Sequence, residues 1–319
     1  MFDIICVGSA SVDVFVKTHF SQLIKKCKNK GIPCDLQGYP LGSKILIDEL
    51  LFSSGGCGTN TAVAFSKLGL KTAFLGKTGS GTNAALIERE LKQANVKNLA
   101  IKDKNERTGY SIILDSVQQD RTILTAKGSN NTLKKSEVPF QKLKTKWFFF
   151  STMMNTSYQT LKTIASFAKR KKIPIALNIS EYLAKKGVSY LKPILLATTI
   201  FILNKQESLM LTKKKSEKKA AETILKNGPE IVVITNGKKG ATTYTQETIH
   251  HIQANKIKIV ETTGAGDAFA SGFVAGYIKK NDISFALQLA RANAESVIKH
   301  HGAKQKLLTW KEAIKRIYR

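Results

Sequence analysis

The sequence predicts an α/β fold of three layers, α/β/α, with a central mainly parallel sheet and a small β-sheet lid. Three observations carry that expectation. Strand-like apolar runs alternate with amphipathic helical patterns for most of the length. The C-terminal third then changes to helix after helix. Two extended stretches, near 36–52 and 108–125, break the alternation.

Along the chain, the strand candidates are Ile4–Gly8, Thr72–Leu75, Trp147–Ser151, Ile175–Asn178, Ile200–Leu203 and Ile231–Thr235. Between them, helical patterns run over Thr61–Leu68, Ala84–Ala94, Tyr158–Lys169, Glu207–Leu211 and Lys218–Asn227. A further strand-like run, Ile257–Val260, leads into helices over Ala268–Lys279, Ile283–His300 and Trp310–Tyr318. Within the extended stretches Leu36–Phe52 and Thr108–Thr125, Ser111–Leu114 and Arg121–Leu124 read as a hairpin. Extra strands of this kind could form a small sheet covering a site. His19 to Asp35, Lys-rich with two Cys, reads as an insertion of low functional weight. With no internal repeat and no Pro- or Ser-rich linker, a single domain over 1–319 is expected.

Composition narrows the function classes. The 319 residues are 42% apolar, enough for a sizeable core. Only 22 Gly, 6 Pro and 4 Cys exclude collagen-like and disulfide-scaffold chains. Lys and Arg number 51 against 23 Asp and Glu, a net +28, which admits anionic partners. The lysines are spread, however, and the runs Lys169 to Lys172 and Lys213 to Lys215 read as solvated helix ends or loops. Trp147-Phe148-Phe149-Phe150 has the character of a buried strand, not of a base-stacking face, so nucleic-acid binding is at most secondary. Cys6, Cys27, Cys34 and Cys57 form no CxxC pair and have no His at zinc spacing, as in a reduced cytoplasmic compartment. The N-terminus lacks a basic n-region, and the longest apolar stretch, Ile194 to Leu203, is too short for a membrane span.

Three segments could carry chemistry. Glu261-Thr262-Thr263-Gly264-Ala265-Gly266-Asp267 opens a helix; its glycines let successive N–H groups point into one anion-binding concavity. Asp267 beside that anion could accept a proton from an attacking hydroxyl, or could be an ordinary N-cap. Ser54-Gly55-Gly56-Cys57-Gly58-Thr59-Asn60 permits close backbone approach to a ligand, with Asn60 offering donor and acceptor; the bland reading is a turn into a helix capped by Thr59. Asp13, after the first strand, could bind hydroxyls at the carboxyl ends of the sheet strands or merely cap a turn.

Together these segments resemble the PfkB family of carbohydrate kinases, with its ribokinase-like fold. Gly264-Ala265-Gly266-Asp267 is similar to the family's C-terminal motif, and Gly55-Gly56-Cys57-Gly58-Thr59-Asn60 to its N-terminal one. Asn204-Lys205-Gln206-Glu207 resembles Asn-x-x-Glu, and Thr235-Asn236-Gly237-Lys238-Lys239-Gly240 resembles the nucleotide loop. The resemblance implies an ATP-dependent kinase acting on the hydroxymethyl group of a ribose- or fructose-like sugar; the alternative is an adenosine-like nucleoside. It implies Asp267 as general base, with the N–H groups of Gly264, Ala265, Gly266 and Asp267 as the anion hole. It gives Asp13, Gly55, Gly56 and Asn60 to the acceptor, and Asn204, Thr235, Gly237 and Asn293 to the nucleotide. Glu207 would organise Mg²⁺ through water. Phe15, Tyr39, Phe52 and Tyr110 could grip a nucleobase from the lid, and lid sheets could dimerise through uncovered edges and apolar faces.

Three departures accompany the resemblance. Glu261 replaces the Asp that opens the C-terminal motif, where many members build a monovalent-cation site. Lys306 falls where ribokinases tend to carry a Ser ligand, so its ammonium is expected to substitute for K⁺. Cys57 replaces a Lys common in ribokinases, which leaves the sugar open. A separate match, Gly79-Ser80-Gly81-Thr82-Asn83-Ala84 with Asp103 following, fits the dinucleotide fingerprint but sits after the second strand-like unit, with Asp103 in a polar stretch.

Overall fold

The computed structural model describes residues 1–29, 32–115, 121–300 and 302–318. Along the chain, β1 (Phe2–Val7) leads to β2 (Ser11–Lys17), β3 (Gln22–Asn29), β4 (Ile32–Gly38) and β5 (Glu49–Gly55). Next come α1 (Cys57–Lys67), β6 (Thr72–Leu75), β7 (Lys77–Thr78), α2 (Thr82–Gln93), β8 (Lys97–Asn98) and β9 (Ile101–Lys102). The hairpin β10 (Gly109–Asp115) and β11 (Arg121–Ala126) closes the first half. The second half continues with β12 (Thr145–Phe150), α3 (Asn155–Arg170), β13 (Ile175–Asn178), α4 (Glu181–Ala184) and α5 (Gly187–Leu195). It goes on through β14 (Ile200–Asn204), α6 (Lys205–Thr212), α7 (Glu217–Leu225), β15 (Ile231–Thr235), β16 (Ala241–Tyr244) and β17 (Ile249–Ile252). Three helices end the chain: α8 (Ala265–Lys280), α9 (Ile283–Val297) and α10 (Trp310–Ile317).

One sheet takes nine strands in the order β17-β16-β15-β14-β13-β12-β1-β6-β8, parallel except at β16 and β17. Its strands are apolar on both sides because helices cover both faces. Side-chain alternation splits the core in two. Ile4, Cys6 and Phe149 pack with Phe65 of α1 and Phe273 of α8 on one face. Ile5, Val7, Phe148 and Phe150 pack with Leu161 of α3 and Leu191 of α5 on the other. The aromatic run 147–150 is thus a central strand, as its composition suggests.

Helix α8 is buried along most of its length and lies against α9. Small residues allow the approach: a Cβ on Gly272 would come within 2.8 Å of Ala290 Cα, and one on Gly276 within 2.8 Å of Ala286 Cα. A helix clamped in this way holds its first turn still, and that turn carries Asp267.

The lid is a four-stranded sheet, β11-β10-β2-β5. It differs from the expected 36–52 and 108–125 in two respects. Its central strand β2 was not anticipated, and residues 39–48 stay outside it. The segment 19–35 contains most of an antiparallel ribbon, β3 with β4, separate from the lid. Ile257–Val260 is not a strand either. Ile257 and Ile259 line a cavity, so their apolar character serves a binding wall instead of a sheet. The last sheet strands are β16 and β17, whose mixed Thr and His content hid them. Among the described residues no helix is long and apolar enough to cross a membrane.

Candidate active site

One side of the candidate site is built where the lid meets α1. Asp13 stands on lid strand β2, opposite Ser53 of β5 and Ser111 of β10, and not in a loop after β1. Ser11 Oγ donates to Asp13 Oδ1 at 3.0 Å, and Ser111 donates as well. Burial nevertheless pushes the Asp13 carboxyl above its ordinary range. Any side chain on Gly55 would collide with that carboxylate. Gly56, at φ 95°, is the N-cap of α1, which therefore starts at Cys57; Thr59 lies inside the helix, where its hydroxyl donates to Gly55 O at 2.6 Å.

Asp267 lies in the first turn of α8 and is 9% exposed. Gly264 is the left-handed N-cap at φ 78°, and a Cβ there would collide with Ala303. A Cβ on Gly266, by contrast, would meet nothing within 4 Å, so this backbone faces open space. Helix-start N–H groups are the ones left without intrahelical acceptors. Of the four expected donors, Ala265 N–H makes a 3.2 Å turn bond to Thr262 O.

Asn60 joins the two glycine turns. Its Nδ2 donates to Asp267 Oδ2 at 2.8 Å, while its buried Oδ1 has no partner among the described residues. That oxygen is free to accept a hydroxyl. Burial raises the Asp267 carboxyl above its ordinary range, against the pull of Asn60, the Cys57 thiol and the Lys304 ammonium; Asp13 adds to the rise. Burial, with the neighbouring Asp267, in turn raises the Cys57 thiol.

The structure adds residues that the sequence did not single out. Lys304 is 8% exposed, with Nζ 2.6 Å from Glu90 Oε2, 2.6 Å from Ser54 Oγ and 3.2 Å from Ser54 O. Ser54 Oγ also contacts Glu90. Lys127, over the Tyr182 ring at 5.0 Å, faces Asp13 and Cys57. Among 51 basic residues nothing in the sequence marks these two, except that Lys304 follows the small pair Gly302-Ala303. Lys306, expected to stand in for K⁺, is corrected: it is exposed at φ 55° on the surface. Glu261 instead ties the same loop down, accepting from Gly302 N–H at 3.0 Å.

On the far side of Gly266 opens a cavity of about 980 Å³. Thr235 and Gly237 line it, with Phe269, Ile257, Ile298 and Arg291. Asn293 does not. It is fully buried, donating to Ala268 O at 2.8 Å and accepting from Leu308 N–H at 3.1 Å, a brace between α8, α9 and the C-terminal loop. Its neighbours Arg291, Ala294 and Glu295 take the wall. Asn204 and Glu207 form a capping box on α6, each bonded to the other's N–H at 2.8 Å. Burial raises the Glu207 carboxyl. No group of three or more His, Cys, Asp or Glu that could hold a metal occurs among the described residues. A single carboxylate with a spare oxygen fits a hydrated, nucleotide-borne Mg²⁺ and does not fit a protein cage.

The dinucleotide alternative loses its acidic residue. Asp103 is bound to Lys77 at 3.0 Å and to backbone N–H groups, which hold it well below the usual carboxylate range. The runs 169–172 and 213–215 are exposed at helix C-termini, as read.

A buried carboxylate at a helix start, between the small lid sheet and a cavity of about 980 Å³, is an arrangement suited to a small-molecule phosphotransferase. The chain matches the pfkB family carbohydrate kinase model over residues 3–310 and belongs to that family. It is 28% identical over 250 residues to an uncharacterized sugar kinase of Archaeoglobus fulgidus, covering 77% of this chain and 98% of that one. It is also 28% identical to the cytidine kinase of Thermococcus kodakarensis, covering 81% and 95%. The ribokinase of Thermotoga maritima superposes with a TM-score of 0.81 at 20% identity, covering 100% of each chain.

Proposed function

We propose that this chain is a cytoplasmic ATP-dependent kinase that phosphorylates the hydroxymethyl group of a ribose- or fructose-like sugar. The supporting observation is the Asp267 carboxylate, bonded to Asn60 and set at the start of α8 where Gly266 opens on the cavity. The acceptor's other hydroxyls bond Asp13 and Asn60 Oδ1. Asp267 takes the hydroxyl proton as the oxygen attacks the γ-phosphorus; the new O–P bond forms as the bond to the β-phosphate oxygen breaks and ADP leaves. The α8 N–H groups stabilise charge on the transferring phosphoryl. Glu207 would hold a hydrated Mg²⁺ through water, and the ion would supply positive charge to the phosphates. Asn204 braces Glu207, while Thr235 and Gly237 shape the nucleotide wall.

A nucleoside acceptor is the second reading, favoured by the likeness to a cytidine kinase. Of the lid aromatics, Phe15 is buried, Tyr110 packs against the core and Phe52 is 62% exposed. ADP release with Mg²⁺, ATP and a panel of pentoses, hexoses and nucleosides decides between them. Turnover of pentoses or hexoses supports the sugar reading; turnover of nucleosides alone replaces it. The proposal also places a second copy over the lid, where Leu50, Phe52, Ile123 and Leu124 are exposed. Sedimentation of Leu124→Asp as a monomer, against a dimeric parent, is the expected result.

A further inference from the structure

Lys304 has no part in the chemistry described so far, yet it is a buried cation beside it. Its loop touches three parts of the site in three consecutive residues. Gly302 N–H bonds Glu261, Ala303 packs on Gly264 of the anion-hole turn, and Lys304 bonds Ser54, next to Gly55 and Gly56. Among the described residues Glu90 alone pairs with the ammonium directly, at 2.6 Å, while Asp13 and Asp267 both act on it through space. Burial depresses the ammonium's proton affinity, and these three carboxylates oppose that.

We propose that Lys304 is a positioning residue: its ammonium, held on Ser54 and Glu90, fastens the acceptor loop to the anion-hole turn and sets one buried positive charge beside the Asp13 and Asp267 carboxylates. The inference rests on the reading of Asp267 as base and Asp13 as acceptor ligand. Two carboxylates in one buried site repel each other, and a cation nearby opposes that repulsion. The groups facing Asp267 are Asp13 from β2, the Cys57 thiol from α1 and Lys304; those facing Asp13 are Lys304, Lys127 and Asp267. Lys304 acts on both carboxylates, and Lys127 acts on Asp13 and on the Cys57 thiol beside Asp267.

The test is a carboxyl ¹³C NMR titration of the ligand-free protein in three forms: wild type, Lys304→Met and Lys304→Met/Glu90→Gln. The double variant removes the stranded Glu90 charge, so it folds even where the single one does not. The expected result is an upward move of the Asp267 midpoint by about one pH unit in either variant. With Mg²⁺-ATP and D-ribose, or adenosine where ribose is not turned over, the acid limb of kcat should follow it. The KM for ATP should stay unchanged. An unmoved midpoint overturns the proposal, as does a double variant with wild-type acid limb and rate, since a purely structural pair would be repaired by that change. Full activity in Asp267→Asn is a different outcome: it removes the base reading and leaves the titration of Lys304's neighbours intact.

Discussion

Among the described residues two lysines are buried, and they are neutralised in opposite ways. Lys77, 4% exposed, has a carboxylate on each side: Asp103 at 3.0 Å and Glu137 at 2.8 Å, with Thr132 O at 3.2 Å. Its partners outweigh desolvation, and its ammonium is held above the ordinary lysine range. Lys304, 8% exposed, has one bonded carboxylate, and its ammonium sits below that range. The first triad is closed on itself and stitches β7 to the segments at 103 and 132–137. The second is left under-neutralised toward Asp13 and Asp267. A saturated ion cluster fixes a fold; an unsaturated one beside a carboxylate pair biases chemistry.

The largest effect belongs to the group that both glycine turns converge on. Asp267→Asn should lower kcat by about a hundred- to ten-thousand-fold, the usual worth of a general base. The same substitution should raise the melting temperature at pH 7. Burial lifts the folded-state affinity of Asp267 for its proton, so its ionisation costs stability. That cost sets in as pH rises through the unfolded value near 3.9 and is complete above the folded one. Asparagine carries no such cost and can still accept from Asn60. A variant that is inactive and less stable at every pH would break this account.

Lys77→Met should do the converse. Leaving Asp103 and Glu137 without their cation costs about 3–5 kcal/mol of stability, read by denaturant unfolding. The pH dependence of kcat in the folded fraction should not move. A displaced acid limb would mean that the two lysines are not separate systems.

Asp103 sets a smaller, pH-bound effect. Backbone N–H groups of Asn105 and Glu106, with Lys77, depress its folded-state value. Its contribution is therefore present above the unfolded value of about 4 and lost as pH falls through the depressed one. Asp103→Asn should flatten the fall in melting temperature below about pH 4. If the slope there is unchanged, another carboxylate governs acid unfolding.

How much of this was legible in the sequence follows from how each feature is encoded. The parallel strands, α8 and the glycine turns are local: apolar runs, 3.6-residue spacing and Gly-x-Gly patterns fix them within a few residues. Asp267 and Asn60 meet at those turns, and Thr235 and Gly237 line the cavity that Gly266 also lines. What failed was non-local. Asp13 belongs to lid strand β2 because β5 and β10 pair with it from 40 and 98 positions away (Asp13 to Ser53, Asp13 to Ser111). Asn293 turned inward because Ala268 and Leu308 offered it bonds that no spacing reveals. Ile257 and Ile259 look like a strand because binding walls and sheet faces use the same residues.

The smallest expected effect separates neighbours. Lys306 lies two residues after Lys304 and carries the same charge, but it is exposed, at φ 55°. With no buried partner and no carboxylate to hold, Lys306→Ala should change stability by no more than about 0.5 kcal/mol. Its kcat and acid limb should match the parent, with or without added K⁺. Lys306→Gly should be slightly more stable than the alanine variant, because only glycine enters the left-handed region without a Cβ penalty. If Lys306→Ala instead lowers kcat while Lys304→Met does not, the assignment of the two lysines must be exchanged, since charge alone cannot distinguish them and burial would then have pointed to the wrong one.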